Sequence, residues 1–148
     1  MEARASLVKR IEGIGKKVSD TVPKRVAMRF EDGRTGKMKA AAIVKVADTY
    51  PLRVKGLSKV ASIGSLDGMF FDCRGPFWMK DVEFPLDICW LDGDGRVTEK
   101  TAMAKDKTGG TVYPAMKGAS VSAIELPSGF CDRFGIGVGD RLVPVKGL

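Results

Sequence analysis

Short apolar stretches separated by turn-forming residues dominate the chain from residue 40 onward. Each stretch is rich in Val, Ile, Leu or Phe and is bounded by Gly, Pro or Asp, which is the pattern of a β-strand. We predict strands over residues 40–46, 69–73, 77–82, 86–91, 120–126 and 140–145. The run Asp92-Gly93-Asp94-Gly95 predicts a tight hairpin turn that joins 86–91 to the stretch after it.

Two short segments carry the signals of helix ends instead. Thr49 is placed to cap a helix that has Pro51 in its first turn and Gly56 near its end. A second helix is predicted over residues 127–135, opened by Pro127. Short strands with two short helices between them are typical of an α+β domain, mostly β, with a curved or barrel-like sheet.

The first 39 residues have a different pattern, which we interpret as an N-terminal arm before a domain at residues 40–148. Apolar residues recur there at the spacing of a short amphipathic helix: Leu7, Ile11, Ile14 and Val18. Gly13 weakens this helix by about 1 kcal/mol relative to Ala. A strand over 25–30 and a turn over 31–37 are predicted to follow. We expect the domain to fold without the arm.

Positive charge is concentrated in the same arm. Residues 1–39 hold eleven Lys or Arg and five Asp or Glu, so they carry +6 of the net charge of +7. Three interpretations are open: a helix packed on its own domain, an arm docked on a partner or an anionic polymer, and a helix on a membrane surface. The residues assigned to partner docking are Arg4, Leu7, Lys9, Arg10, Ile11, Ile14, Lys16, Lys17 and Val18.

Composition excludes several kinds of chemistry. The chain has no histidine, which removes Ser-His and Cys-His catalysis and histidine-ligated metals. Cys73, Cys89 and Cys131 lie far apart and are predicted to be buried, reduced thiols. We expect neither a cofactor nor a metal ion.

No apolar stretch approaches the ~20 residues that span a bilayer. The first residues show no secretory signal, so we expect the protein in the cytoplasm or in a particle assembled there.

Three stretches of the chain, in order, carry a family resemblance. They are VADTYPLRVKGLSKVASIGSLDGMFFDC, FWMKDVEFPLDICWLDGDGRV and AIELPSGFCDRFGIGVGDRLV. Together they resemble the domain-of-unknown-function 192 family over about 100 residues, from about residue 40 to the end. The family usually has Asn where this chain has Asp81, and often has Met and a second Arg where this chain has Ser58 and Lys59. The resemblance implies a fold and a set of recurrent residues, but no reaction.

The resemblance also places a Trp-Met pair beside a set of polar residues. Trp78, Met79 and Trp90 would by themselves be core residues. The set that recurs in the family corresponds here to Arg53, Trp78, Lys80, Asp81, Asp87 and Glu125. Its charges either satisfy one another as an internal salt-bridge network, which we favour, or line a shallow cleft for a small polar ligand.

These observations favour a non-enzymatic role. The first hypothesis is a structural or interaction module that the basic arm docks into a larger assembly of protein chains, such as a virion, with non-specific contact to nucleic acid. The alternative is a small-molecule-binding or hydrolytic domain that uses a polar cleft around Asp87 and Glu125.

Overall fold

A seven-stranded sheet organises residues 5–145, the part of the chain that the computed structural model describes. The helices and strands in chain order are α1 (Leu7–Glu12), β1 (Arg25–Glu31), β2 (Met38–Ala47), α2 (Tyr50–Lys55), β3 (Asp67–Phe71), β4 (Phe77–Trp78), β5 (Leu86–Leu91), β6 (Val97–Met103), β7 (Val112–Tyr113), β8 (Ser122–Pro127), α3 (Phe130–Phe134) and β9 (Arg141–Pro144). The predicted α+β class, mostly β, is confirmed.

The strand order in the sheet is β6-β5-β8-β3-β2-β1-β9, and β4 pairs with β7 in a separate ribbon. β2 and β3 run parallel, whereas the other neighbouring strands run antiparallel. The sheet curves so that its two edges, at β6 and β9, approach each other. One isolated bridge, between Arg96 and Arg141, joins them. The curvature agrees with the prediction, but the sheet does not close into a barrel.

Alternating side chains of the sheet feed two separate cores. Ile124 and Leu126 of β8 pack in the first core, together with α1, α3 and the inner face of β1 and β2. Met69, Ile88 and Ala123 point to the other face and form the second core with α2 and the segment around β4. Because side chains on a strand alternate, adjacent residues of β8 belong to different cores.

Local sequence signals predicted several elements well. β5 spans the predicted residues, and the turn after it is closed by Asp92, whose Oδ1 accepts hydrogen bonds from the backbone N–H of Asp94 and of Arg96. At the start of α2, Thr49 Oγ1 accepts a hydrogen bond from the Leu52 N–H, as expected of an N-cap. These elements are decided by residues close together in sequence.

Two predicted elements differ from the structure. The strand expected over 77–82 is only two residues long, because β4 has only the equally short β7 as its partner. α3 begins after Gly129 rather than at Pro127, which is still part of β8. In both cases the boundary depends on contacts with residues far away in sequence.

Residues 5–39 belong to the same fold, which corrects the prediction of a separate arm. β1 lies between β2 and β9, so a domain that began at residue 40 would lose a central strand. Leu7 and Ile11 are 1% and 2% exposed in the first core. Lys24 Nζ donates hydrogen bonds to the Ile11 and Ile14 carbonyls and holds the end of α1 against the sheet.

The residues assigned to partner docking therefore do not form one surface. The packing of Leu7 and Ile11 matches the interpretation of a helix on its own domain, and Val8, Arg10 and Ile14 are half-buried beside them. α1 ends at Gly13, so Val18 lies beyond the helix and is 81% exposed. Lys9 and Lys16 are exposed, and Lys17 is 3.1 Å from Asp48 of the same chain. Arg4 lies outside the described residues.

We expect Leu7→Ala and Ile11→Ala each to lower the free energy of unfolding by about 2–5 kcal/mol, since each removes a buried side chain. Val18→Ala is the matched control and should change it by less than about 0.5 kcal/mol, since Val18 is exposed. Chemical denaturation of the three variants and the parent measures these differences. Equal, small effects would indicate that α1 is not part of the core.

Candidate functional site

A cleft with a volume of about 640 Å³ opens on the sheet face that carries the second core. One wall is α2 with the residues that follow it, 56–59, and the opposite wall is the segment 73–82. Phe71 of β3 and Glu125 of β8 form part of the lining between the walls. The cleft therefore lies between two loop-bearing segments that stand on a rigid sheet.

An arginine–aspartate pair anchors the first wall. Arg53 Nε and Nη2 donate to the two carboxylate oxygens of Asp72 at 2.6 and 3.0 Å, and Nη2 also donates to the Asp48 carbonyl. This fork raises the pKa of Arg53 through its hydrogen bonds to Asp72. Because two parallel bonds fix the guanidinium plane, α2 is held at one orientation over the end of β3.

Aromatic packing positions the second wall. Phe77 is buried with its ring 4.9 Å from that of Phe71 in an edge-on contact, and Trp90 Nε1 donates to the Arg74 carbonyl. Trp78 follows Phe77 on the short strand β4 and points the opposite way, so 53% of its surface is exposed. Trp78 is a lining residue of the cleft and stays out of the core, contrary to the default expectation for a tryptophan in a strand.

Two residues with left-handed backbone connect the walls. Lys59 and Asp81 have φ of 60° and 58°, and the Lys59 N–H donates to the Asp81 carbonyl at 2.8 Å. Such conformations are costly for residues other than glycine and persist only where the surrounding structure imposes them. Both residues line the cleft, so the strain lies at its rim.

Glu125 places a buried carboxyl in the lining of the cleft. Its cross-strand neighbours are Met69 on β3 and Ile88 on β5, and only 4% of its surface is exposed. The carboxyl makes no hydrogen bond or ion pair with another described residue. Burial without a partner disfavours the charged form and raises the pKa of Glu125 to about 8, so the group is protonated at neutral pH.

The structure brings five of the six predicted polar residues together. Arg53, Trp78, Lys80, Asp81 and Glu125 all line the cleft. They are not joined as an internal salt-bridge network, since the carboxylate that pairs with Arg53 is Asp72, which lies outside the predicted set. The expected charge pairing is therefore wrong for Arg53 and Glu125.

Asp87 is the sixth predicted residue, and it lies on the other face of the sheet. It is opposite Leu126 of β8, whereas Glu125 is opposite Ile88. Asp87 Oδ2 accepts a hydrogen bond from the Cys131 backbone N–H at 3.0 Å and so ties β5 to the start of α3. The prediction of one cleft around Asp87 and Glu125 is therefore wrong.

Sequence reasoning missed several lining residues. Tyr50, Lys55 and Leu57 come from α2 and the turn after it, and Phe71 comes from β3. Tyr50 and Val54 are four residues apart on α2 and both are exposed, which is the only local signal for an apolar patch there. Phe71 carries no such signal, since a phenylalanine in a strand is expected to be a core residue.

The cysteines divide between the two sheet faces. Cys89 and Cys131 are buried in the first core with their Sγ atoms 3.5 Å apart, and the hydrogen bond between the thiols together with burial raises the pKa of Cys89. All three cysteines are free thiols. Cys73 is only half-buried and lines the cleft, so its predicted burial is wrong.

Neither a metal cluster nor a membrane span is found in the described part of the chain. No three Asp, Glu or Cys side chains of residues 5–145 are arranged to hold a metal ion. None of the helices within that range is long and apolar enough to cross a membrane.

We expect Glu125→Gln to remove a pH-dependent loss of stability. The folded protein keeps the Glu125 proton up to about pH 8, whereas the unfolded chain releases it near the ordinary pKa of a glutamate, 4.5. Between these values the wild type therefore loses about 1.4 kcal/mol per pH unit relative to the variant, and the difference levels off above the folded pKa. The free energy of unfolding of Glu125→Gln should equal that of wild type near pH 4.5 and exceed it near pH 8.

Asp87→Asn is the matched carboxyl-to-amide control on the opposite face. It replaces the charged acceptor of the Cys131 N–H by a neutral amide and should destabilise the protein by about 1–3 kcal/mol at neutral pH. Thermal or denaturant melts of both variants across this pH range provide the comparison. A Glu125→Gln variant less stable than wild type above the folded pKa would show that a partner holds the Glu125 carboxylate.

Comparisons with known proteins bear on the fold and the family. The family model DUF192, described as an uncharacterized ACR, matches residues 31–144. The comparison with curated proteins finds no match. A crystal structure of a candidate transcription regulator from Sinorhizobium meliloti 1021 is 22% identical, with a TM-score of 0.74 over 88% of this chain and 98% of that chain. A protein of unknown function from Novosphingobium aromaticivorans DSM 12444 is 27% identical, with a TM-score of 0.69 over 86% of this chain and 98% of that chain. The chain belongs to the DUF192 family.

Proposed function

We propose that this protein is a small-molecule-binding domain whose ligand enters the cleft and contacts Glu125. The observation that supports this most directly is a buried carboxyl in the lining of the cleft with no partner among the described residues. A carboxyl in a buried residue that bonds to no described residue is uncommon in folded proteins, and because its oxygens are not fully shielded they can be reached from the cleft. A ligand that hydrogen-bonds to the carboxyl would satisfy the group when bound.

A purely structural role does not account for Glu125 equally well. Its cross-strand neighbours, Met69 and Ile88, are apolar, and a leucine or methionine at this position would pack against them without a desolvation penalty. Asp87 shows what a structural carboxylate looks like in this chain, since it accepts a hydrogen bond from the Cys131 N–H. Glu125 has no equivalent contact.

The shape of the cleft fits the same proposal. Its volume of about 640 Å³ lies within the range of small-molecule sites, roughly 300–1,000 Å³. Apolar side chains make much of its walls, and a few polar groups converge at the rim and in the lining, which is the usual composition of such sites. The left-handed residues Lys59 and Asp81 add strain at the rim, as functional sites often do.

The other predicted functions have less support. The assembly role, including a virion, stays a prediction, and two of the residues on which it depended, Leu7 and Ile11, are buried in the chain's own core. Hydrolysis also stays a prediction. A protonated Glu125 supplies a general acid, but a hydrolase needs in addition a nucleophile or base aimed at the same bond.

We expect small molecules of a chemically mixed fragment library to shift the backbone amide signals of residues 53–59 and 73–82 in NMR spectra of the full chain. Val54→Trp is the blocking variant, because Val54 lines the cleft and is exposed, so a larger side chain there fills the cavity. Val138→Trp is the control, because Val138 is also exposed but does not line the cleft.

Binding should be lost in Val54→Trp and kept in Val138→Trp. Glu125→Leu supplies a second check, since it should keep the fold and weaken binding by removing the polar group of the lining. The proposal is wrong if no compound binds at millimolar concentration, the range in which fragments usually bind. It is equally wrong if the shifted signals lie away from the cleft.

A further inference from the structure

The rim of the cleft carries an excess of unpaired positive charge. Lys55, Lys59 and Lys80 line the cleft, and no ion pair connects them to a carboxylate within residues 5–145. The Arg53 charge is compensated by Asp72, which lies outside the lining. Among the described lining residues, Asp81 and Glu125 carry the carboxyls, against the three lysines. A cleft with apolar walls concentrates such a field and attracts anions.

An exposed aromatic surface adjoins these lysines. Trp78 is held by β4 with half its surface exposed, although tryptophan is among the residues whose burial is most favourable. Its backbone pairs with Val112 of β7, so the indole is carried by a strand rather than by a free loop. A flat, rigid aromatic surface of this kind suits a ligand ring.

The lining supplies a hydrogen-bond donor. The charged and titratable residues that line the cleft together with Glu125 are Tyr50, Arg53 and Lys55 from α2, Lys59 after it, and Cys73, Lys80 and Asp81 from the opposite wall. On the sheet itself its neighbours are Met69 and Ile88, which carry no charge. None of these groups is bonded to the carboxyl, so it holds its proton and can donate it to an acceptor.

From these three features we propose that the ligand is a small organic anion with a ring. Its carboxylate or phosphate lies among Lys55, Lys59 and Lys80, its ring packs on Trp78, and an acceptor atom forms a hydrogen bond with the Glu125 carboxyl. This inference rests on the proposed function and narrows it to a chemical class. A cationic ligand is disfavoured because three ammonium groups repel it. A long polymer is disfavoured because the Glu125 side chain, at 4% exposure, is reached by a small group and not by an extended chain.

The first experiment compares four probes that share one ring and differ in charge: benzoate, phenyl phosphate, benzamide and benzylammonium. NMR titration of the full chain gives each affinity and its location. We expect benzoate or phenyl phosphate to bind at the cleft more tightly than benzamide, and benzylammonium most weakly. The order of the first two tells whether the natural group is a carboxylate or a phosphate.

The second experiment removes one rim charge. Lys80→Gln should weaken the binding of the better anion by about two- to fivefold, the range of one exposed charge pair, and should leave benzamide unchanged. Lys37→Gln is the matched control, because Lys37 is exposed but lies outside the cleft. Equal effects of the two variants would mean that the anion responds to net charge alone, which contradicts the proposal.

The third experiment tests the proton on Glu125. An anion that needs the neutral carboxyl should lose affinity about tenfold per pH unit once Glu125 ionises, above about pH 8. Glu125→Gln keeps a donor and should remove this dependence. Cys73→Ser controls for the nearby thiol and should retain it. A flat profile in the wild type contradicts the role of Glu125.

The outcomes separate this inference from the proposed function. If benzamide or benzylammonium binds at the cleft at least as tightly as both anions, the cleft is a binding site but not for anions, and the inference is wrong. The same holds if none of the four probes binds while other compounds of the fragment library do. If no compound binds at the cleft, both proposals are wrong.

Discussion

Neighbouring residues of a β-strand point to opposite faces of the sheet, and on β5 and β8 this alternation separates two carboxyls that the sequence suggests are close. Asp87 and Leu126 share one face, and Glu125 and Ile88 share the other. A shift of one residue in this pairing would reverse both assignments. It would also send Ile124 out of the first core, where it is fully buried. The apolar residues of β8 therefore determine that Glu125 faces the second core and the cleft.

The same constraint explains the electrostatics of the cleft. Because Glu125 lies between two apolar neighbours, it is desolvated and keeps its proton at neutral pH. An ionised Glu125 would have offset part of the positive charge of the three rim lysines. The neutral carboxyl does not, so Asp81 is the lining carboxylate that partly compensates their charge. Arg53 adds little to this field because its charge is compensated by its ion pair with Asp72. The result is a positive rim over a neutral hydrogen-bond donor, the combination from which the proposed anion site is argued.

Features that depend on nearby residues were predictable from the sequence, and features that depend on strand pairing were not. Thr49 and Gly56 mark the ends of α2, and Asp92 marks its turn, because capping and turn chemistry act over a few residues. Five of the six polar residues were identified through the family resemblance, without any knowledge of the cleft. The assignment of Asp87 failed because strand register is non-local. The strand at residues 25–30 was predicted, but its place between β2 and β9 was not, because that place depends on pairing with residues far away in sequence.

Asp81 connects the backbone of the cleft to its charge. Its φ of 58° lies in the left-handed region, which Asn and Asp tolerate better than other residues that carry a side chain. The family resemblance implies Asn at this position, and Asp meets the same conformational requirement while adding a negative charge. The Asp81 carbonyl still accepts the hydrogen bond from the Lys59 N–H that joins the two walls. Relative to the Asn that the resemblance implies, Asp81 keeps the same backbone requirement and adds a negative charge beside the three lysines that line the cleft.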